Sequence, residues 1–263
     1  MEENKKFKLV TSKKTRYLLP NILTLAGVCL GISSIKFSID GNYTLAVTLI
    51  LFAAILDALD GRIARLIKGT SEFGKELDSL TDFVSFGIAP VFTLYFWELN
   101  NYGKLGWAIT LTYSVCCVLR LARFNLTKIE DTQKWKNNFF EGVPSPAGGL
   151  LILMPLIYDL TDLNLVFNVK NITPYLTIIV AILLVSKIPT LSLKKISISP
   201  KTTVFLLLGI GIVFIALLFY TLETLLIFGI FYLMSIPLSI ILYKKHNKKK
   251  LDKISDESHE DIL

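Results

Sequence analysis

Apolar stretches of about twenty residues recur along the whole chain, the length a helix rising about 1.5 Å per residue needs to cross a bilayer core roughly 30 Å thick. Of 263 residues, 52% are hydrophobic and only 19% are charged. A soluble domain with one core has no use for so many long runs, so the pattern predicts an all-α, polytopic transmembrane bundle. Eight spans are expected, over residues 17–37, 43–67, 76–99, 104–124, 145–159, 172–192, 202–221 and 223–243, the fifth being short for a full crossing. They divide the chain into a basic arm (1–16), a transmembrane domain (17–243) and a charged tail (244–263). The first span carries polar Asn21 and Thr24 and no small-residue cleavage site, so it reads as a retained helix.

The basic residues test this layout. Of 28 Lys and Arg, 25 fall in five clusters: before Leu19, at 62–75, at 120–136, at 187–201 and from Lys244 onward. The remaining three, Lys36, Lys104 and Lys170, fall singly on the alternate connections. Lys and Arg accumulate in cytoplasmic loops, so an even number of spans with both termini cytoplasmic is expected in a multi-pass protein of the cell membrane. The same rule, with attraction to anionic headgroups, accounts for the net charge of +7 without any nucleic-acid partner. The tail passes from basic to acidic with little apolar content and reads as a surface segment rather than part of a core.

Composition also narrows the chemistry. Cys29, Cys116 and Cys117 all lie within apolar spans without metal-ligand spacing, and His246 and His259 lie in the tail. Neither a disulfide framework nor a zinc site fits, and catalysis must rest on carboxylates, hydroxyls, amides, Lys and Arg.

Against that background four aspartates stand out. Asp57, Asp60, Gly61 and Ala64 occupy one face of the second span at i, i+3, i+4 and i+7, and Gly74, Asp78 and Asp82 recur every four residues on the third. An aspartate facing lipid costs about 2.5–3.5 kcal/mol, so four would cost on the order of 10 kcal/mol, comparable to the stability of a whole protein. They must face water, cations or one another. All four sit toward the cytoplasmic ends of their spans, which predicts a pocket open to that side. Oxygen ligands without His or Cys suit hard divalent cations, and two ions would balance the four carboxylates. Two Mg²⁺ or Mn²⁺ are expected, and Ca²⁺ also fits. The small residues on the same rows admit a phosphorylated ligand close to the backbone or serve tight helix packing, as does the Gly27 to Gly31 pair. Arg65 and Lys75 flank the cluster and can hold phosphate oxygens.

Together the run Asp57-x2-Asp60-Gly61-x2-Ala64-Arg65-x8-Gly74-x3-Asp78-x3-Asp82 resembles the signature of the CDP-alcohol phosphotransferase family. The resemblance implies a helical membrane enzyme, homodimeric, that transfers a phosphatidyl group from a CDP-linked lipid (CDP-diacylglycerol or an ether analogue) to an alcohol and releases CMP. It implies Asp57, Asp60 and Asp78 as metal ligands and Asp82 as a ligand that is also the general base. Gly61, Ala64, Arg65 and Gly74 would contact the nucleotide diphosphate, and Asn21 and Thr24 of "PNILT" would touch the nucleotide. The stretches "LRLARFN" (119–125) and "EGVPSPAGG" (141–149), the second with Val143 and Gly148 in place of a more usual leucine and alanine, are similar to the branch whose acceptor is L-serine. Serine needs a cation and polar groups beside the metals, and Arg120, Arg123, Asn125 and Ser145 can supply them; the two arginines also fit simple cytoplasmic anchoring.

Two other readings share these residues. The acceptor can be glycerol phosphate, inositol phosphate or another polar alcohol. A cation-coupled transporter would also place ionisable groups in the membrane, but near its midplane and in both halves of the chain. Spans beyond Pro189 carry no buried charge and are expected to be scaffold or to face lipid.

Overall fold

A computed structural model describes residues 13–67, 69, 71–127, 139–161, 169–191 and 200–260, so most of the basic arm and the last three residues of the tail lie outside it. Among the described residues ten α-helices run in the order α1 (Lys13–Ile39), α2 (Tyr43–Leu66), α3 (Glu72–Asp82), α4 (Ala89–Trp97), α5 (Lys104–Thr127), α6 (Ser145–Ile152), α7 (Met154–Leu160), α8 (Thr173–Val185), α9 (Pro200–Phe219) and α10 (Thr221–Glu260). Strands β1 (Phe139–Glu141) and β2 (Pro189–Leu191) pair antiparallel, with Phe139 opposite Leu191. Among the described residues five helical segments are long and apolar enough to cross a bilayer: Leu18–Ile39, Tyr43–Leu66, Glu72–Trp97, Lys104–Leu126 and Thr221–Ile241.

Of the expected spans beyond the fourth, the eighth (223–243) coincides with Thr221–Ile241, whereas the fifth and sixth differ in instructive ways. Residues 145–159 form two short helices, α6 and α7, because Pro155 has no N–H to continue the ladder and the chain breaks at Leu153. At thirteen residues α8 reaches about 20 Å, less than a bilayer core. The backbone of α10 stays helical through the charged tail to Glu260, since its Lys, Leu and Glu residues are good helix formers. The ribbon β1–β2 was not expected, because strands of three residues are too short to show a period in the sequence.

The first two helices form an antiparallel hairpin. Gly41, at φ +77°, turns the chain, and Asn42 caps α2 by accepting a bond from the Leu45 N–H at 3.2 Å. Ser71 caps α3 in the same way, accepting from the Gly74 N–H at 3.0 Å. Helix α1 touches α2, α3, α4 and the segment between α3 and α4, so it holds the two acidic helices in register. Gly31 permits the closest approach, because a Cβ there would sit 2.9 Å from Ser85 Oγ and 3.0 Å from its Cα. The Gly27 to Gly31 pair is thus a helix contact, as its spacing suggested.

Between α3 and α4 the chain makes a π-helical segment, Phe83–Ile88, directly after Asp82. Pro90, at the start of α4, cannot donate to the Phe86 carbonyl, which an α-helix would have paired with residue 90. The buried Tyr113 hydroxyl of α5 donates to that carbonyl at 3.0 Å, and Ser114 Oγ lies 3.3 Å from Gly87 O. Such single π turns mark functional sites in many helices, and this one fixes the rotation of α3, and with it Asp82, relative to α4.

The core lies between α2, α4, α5, α6, α7 and α8, with Ile50, Leu94, Tyr113, Leu156 and Leu184 fully buried. Outward faces of α1, α9 and α10 expose large apolar side chains such as Ile32, Ile215 and Phe231, as lipid contact requires.

Candidate active site

Helices α2 and α3 bring Asp57, Asp60 and Asp78 together: one carboxylate oxygen of each lies within 4.8 Å of the others. The periodic spacing on both helices is the local cause, since three- and four-residue steps keep side chains on one helical face. Asp60 is only 3% exposed, and Thr24 Oγ1 of α1 donates to its Oδ2 at 2.6 Å. Asn21, one turn earlier on α1, stands beside Gly74: its Oδ1 would be 3.2 Å from a Cβ placed there. The two polar residues of the first helix therefore lie beside the acidic helices, and Thr24 fixes the orientation of one carboxylate.

Asp82 stands next to the trio, with its side chain in hydrogen-bonding range of Asp57 and with Asp78 and Arg120 as further electrostatic neighbours. Its Oδ1 is buried and has no hydrogen-bond partner among the described residues. Buried polar atoms are almost always paired, so an orphaned carboxylate oxygen beside three other carboxylates asks for a cation or a donor from a ligand. The all-oxygen donor set fits hard divalent ions.

On the other side of Asp82 lies a second polar group. Arg120 of α5 is 8% exposed, donates through Nη1 to Ser145 Oγ at 2.7 Å and stacks over the Phe124 ring at 5.1 Å. Ser145, fully buried at the start of α6, also lies 3.8 Å from Cys117 Sγ. A buried guanidinium is retained only where anions or well-placed acceptors compensate it, which simple anchoring at a membrane surface would not require.

The other expected site residues are placed differently. Arg123 directs Nη1 to the Val185 carbonyl at 2.7 Å and Nη2 to the Ser186 carbonyl at 2.9 Å, closing the C-terminal end of α8. Asn125 donates to Ser79 Oγ at 3.0 Å and so ties α5 to α3. Gly61 opens onto free space, Ala64 is half-buried, and Arg65 is exposed. Lys75 is exposed and pairs with Glu72 at 2.6 Å. Spacing did not single out Ser79, the π segment or Tyr113. Pro90 was the one local signal for them, being a proline within an apolar run. Gly142, at φ +76°, packs against the carbonyls of Leu184 and Ser186, where a Cβ would sit 2.9 and 2.8 Å away. Only glycine fits there, and it lets the loop before α6 lie on the end of α8.

The comparisons agree with this geometry. A sequence profile described as CDP-alcohol phosphatidyltransferase matches residues 17–183. A Mycobacterium leprae (strain TN) protein named CDP-diacylglycerol–serine O-phosphatidyltransferase is 40% identical over 189 residues, 70% of this chain and 61% of its own length. The chain thus spans somewhat less than two thirds of that relative. A Helicobacter pylori (strain ATCC 700392 / 26695) protein of the same name is 34% identical over 200 residues, 76% of this chain and 82% of its own. One from Bacillus subtilis (strain 168), also so named, is 33% identical over 142 residues, 54% of this chain and 77% of its own. With the profile running through the acidic helices, Arg120 and Ser145, the chain belongs to the CDP-alcohol phosphatidyltransferase family.

Proposed function

We propose that this chain is a phosphatidylserine synthase: it transfers the phosphatidyl group of a CDP-linked lipid to the hydroxyl of L-serine and releases CMP. The observation that carries this reading is the orphaned, buried Asp82 oxygen standing between the Asp57, Asp60 and Asp78 trio and the buried Arg120–Ser145 pair. The names of the Mycobacterium leprae and Helicobacter pylori relatives support the same acceptor.

Asp57, Asp60, Asp78 and Asp82 would hold two divalent ions, Mg²⁺ or Mn²⁺. When bound, such ions supply Lewis acidity to a diphosphate and offset its charge. Thr24 holds Asp60 in its orientation through the 2.6 Å bond. Asn21, Gly61, Ala64, Arg65, Gly74 and Lys75 would contact the CDP group, with Arg65 and Lys75 offered to its phosphate oxygens. Arg120 holds the serine carboxylate, with Ser145 orienting the guanidinium. Asp82, facing both groups, accepts the proton of the serine hydroxyl as it attacks phosphorus. Arg123 and Asn125 act at one remove, by fixing the helices that carry Arg120 and Asp82.

The distribution of Lys and Arg supports a site facing the cytoplasm, with both termini on that side of the cell membrane. A homodimer, as the family resemblance implies, is part of the same reading. Purified protein given CDP-diacylglycerol, labelled L-serine and Mg²⁺ or Mn²⁺ should release CMP and form a serine lipid. No CMP with serine, but release with glycerol phosphate or inositol phosphate, would move the protein to another branch of the family.

A further inference from the structure

Helix α10 lies beyond residue 183, where the family match ends, and its sequence suggests only a scaffold or lipid-facing span. One face of it nevertheless turns inward. Tyr232, Ile236 and Ser239 fall at i, i+4 and i+7; Ile236 and Ser239 are buried, and the Tyr232 ring packs against the core. Ser239 Oγ sits 2.7 Å from the Pro189 carbonyl, which ties this face to β2.

The Tyr232 hydroxyl is buried from water and has no hydrogen-bond partner among the described residues. Among the described residues, Asp82 Oδ1 is the other buried side-chain oxygen without one. Both have Arg120 as an electrostatic neighbour. Thr190, the other polar neighbour of Tyr232, directs its own proton to the Gly142 carbonyl at 2.8 Å, and Arg120 Nη1 donates to Ser145, so neither of these donors is aimed at the phenol oxygen. Tyr232 lies nine residues before the end of the Thr221–Ile241 span, a depth of about 14 Å, close to that of Asp57 in its own span. A phenol oxygen next to a guanidinium turns its lone pairs toward the cation and its hydrogen away, so the O–H is available to an anion that the same guanidinium holds.

We propose that Tyr232 is a specificity-determining residue of the acceptor pocket, its hydroxyl donating a hydrogen bond to the acceptor carboxylate that Arg120 binds. This rests on the serine reading above and extends the pocket to a helix outside the family match. Acceptors without a carboxylate would leave the hydroxyl unused, so it favours serine over alcohols of similar size.

Tyr232→Phe keeps the ring and its packing while removing the donor. The KM for L-serine should rise about tenfold, as loss of a hydrogen bond to a charged group predicts, with kcat and the KM for CDP-diacylglycerol unchanged. Preference for serine over serinol, which carries a hydroxymethyl group in place of the carboxylate, should fall by the same factor. A serine KM within twofold of wild type overturns this inference alone. So does a rise in the KM for CDP-diacylglycerol alongside that for serine, which would mean that Tyr232 acts through the fold. If the wild type releases no CMP with serine, both the acceptor reading and this inference fall.

Discussion

The acidic cleft draws all its carboxylates from residues 57 to 82, on two helices joined by a short connection, whereas the Arg120 pocket beside it gathers Ser145 and Tyr232 from segments far along the chain. The first is a local construction: helical period alone aligns its side chains, and α1 needs only to lie behind it. The second is non-local. Arg120 meets Ser145 only because α5 packs on α6 and α8, and Gly142 allows the loop before α6 to seat on the end of α8. On the proposed function, this division separates the chemistry from the choice of alcohol. Substitutions in the cleft should stop the reaction, and those in the pocket should redirect or weaken acceptor binding.

The sharpest break of this contrast is Asp82→Asn, which should lower kcat by about 10²- to 10⁴-fold, the usual contribution of a general base, while CDP-diacylglycerol still binds. Single-turnover CMP release together with equilibrium binding of the donor lipid checks it, and a near-normal rate would remove Asp82 from proton transfer. Next comes the comparison of two arginines one turn apart. Arg120→Gln removes a buried charge that faces Asp82 and should raise the serine KM at least thirtyfold, the lower end for truncating a buried charge pair. Arg123→Gln should leave that KM unchanged and lower stability by about 1–3 kcal/mol, measured by thermal unfolding in detergent, because its bonds close the end of α8. Reversed outcomes would exchange the two roles.

Thr24→Val tests how far the cleft depends on α1. Losing the 2.6 Å bond to Asp60 should weaken Mn²⁺ affinity about 10- to 100-fold with the serine KM unchanged at saturating metal. The smallest effect is expected of Gly31→Ala. Its methyl would crowd Ser85 at about 3 Å, push α1 off the π segment and destabilise the protein by about 1–3 kcal/mol, with activity retained at low temperature.

The same contrast explains what the sequence made legible. The acidic rows are visible because Asp57, Asp60, Asp78 and Asp82 recur at helical steps in apolar spans, where each needs a physical reason to be present. Arg120 and Ser145 were visible only through resemblance, and nothing local separated Arg120 from Arg123: both are arginines on one helix, and their fates are set by α6 and α8. Tyr232 gave no signal, since a tyrosine in a lipid-facing span is ordinary. The break at Pro155 and the π turn before Pro90 belong to a third kind. Proline marks where a ladder fails, but whether the helix ends or bulges depends on what is packed against the freed carbonyl, here Tyr113.

The proposed function requires that the Asp57, Asp60 and Asp78 trio hold the divalent ions on which transfer to serine depends. Mn²⁺ binding to the purified protein, followed by electron paramagnetic resonance in parallel with CMP release, tests it most directly when wild type is compared with Asp60→Asn. The variant should lose bound Mn²⁺ and serine-dependent CMP release together. Wild-type CMP release from Asp60→Asn, or from wild-type protein stripped of divalent ions by chelation, would contradict it.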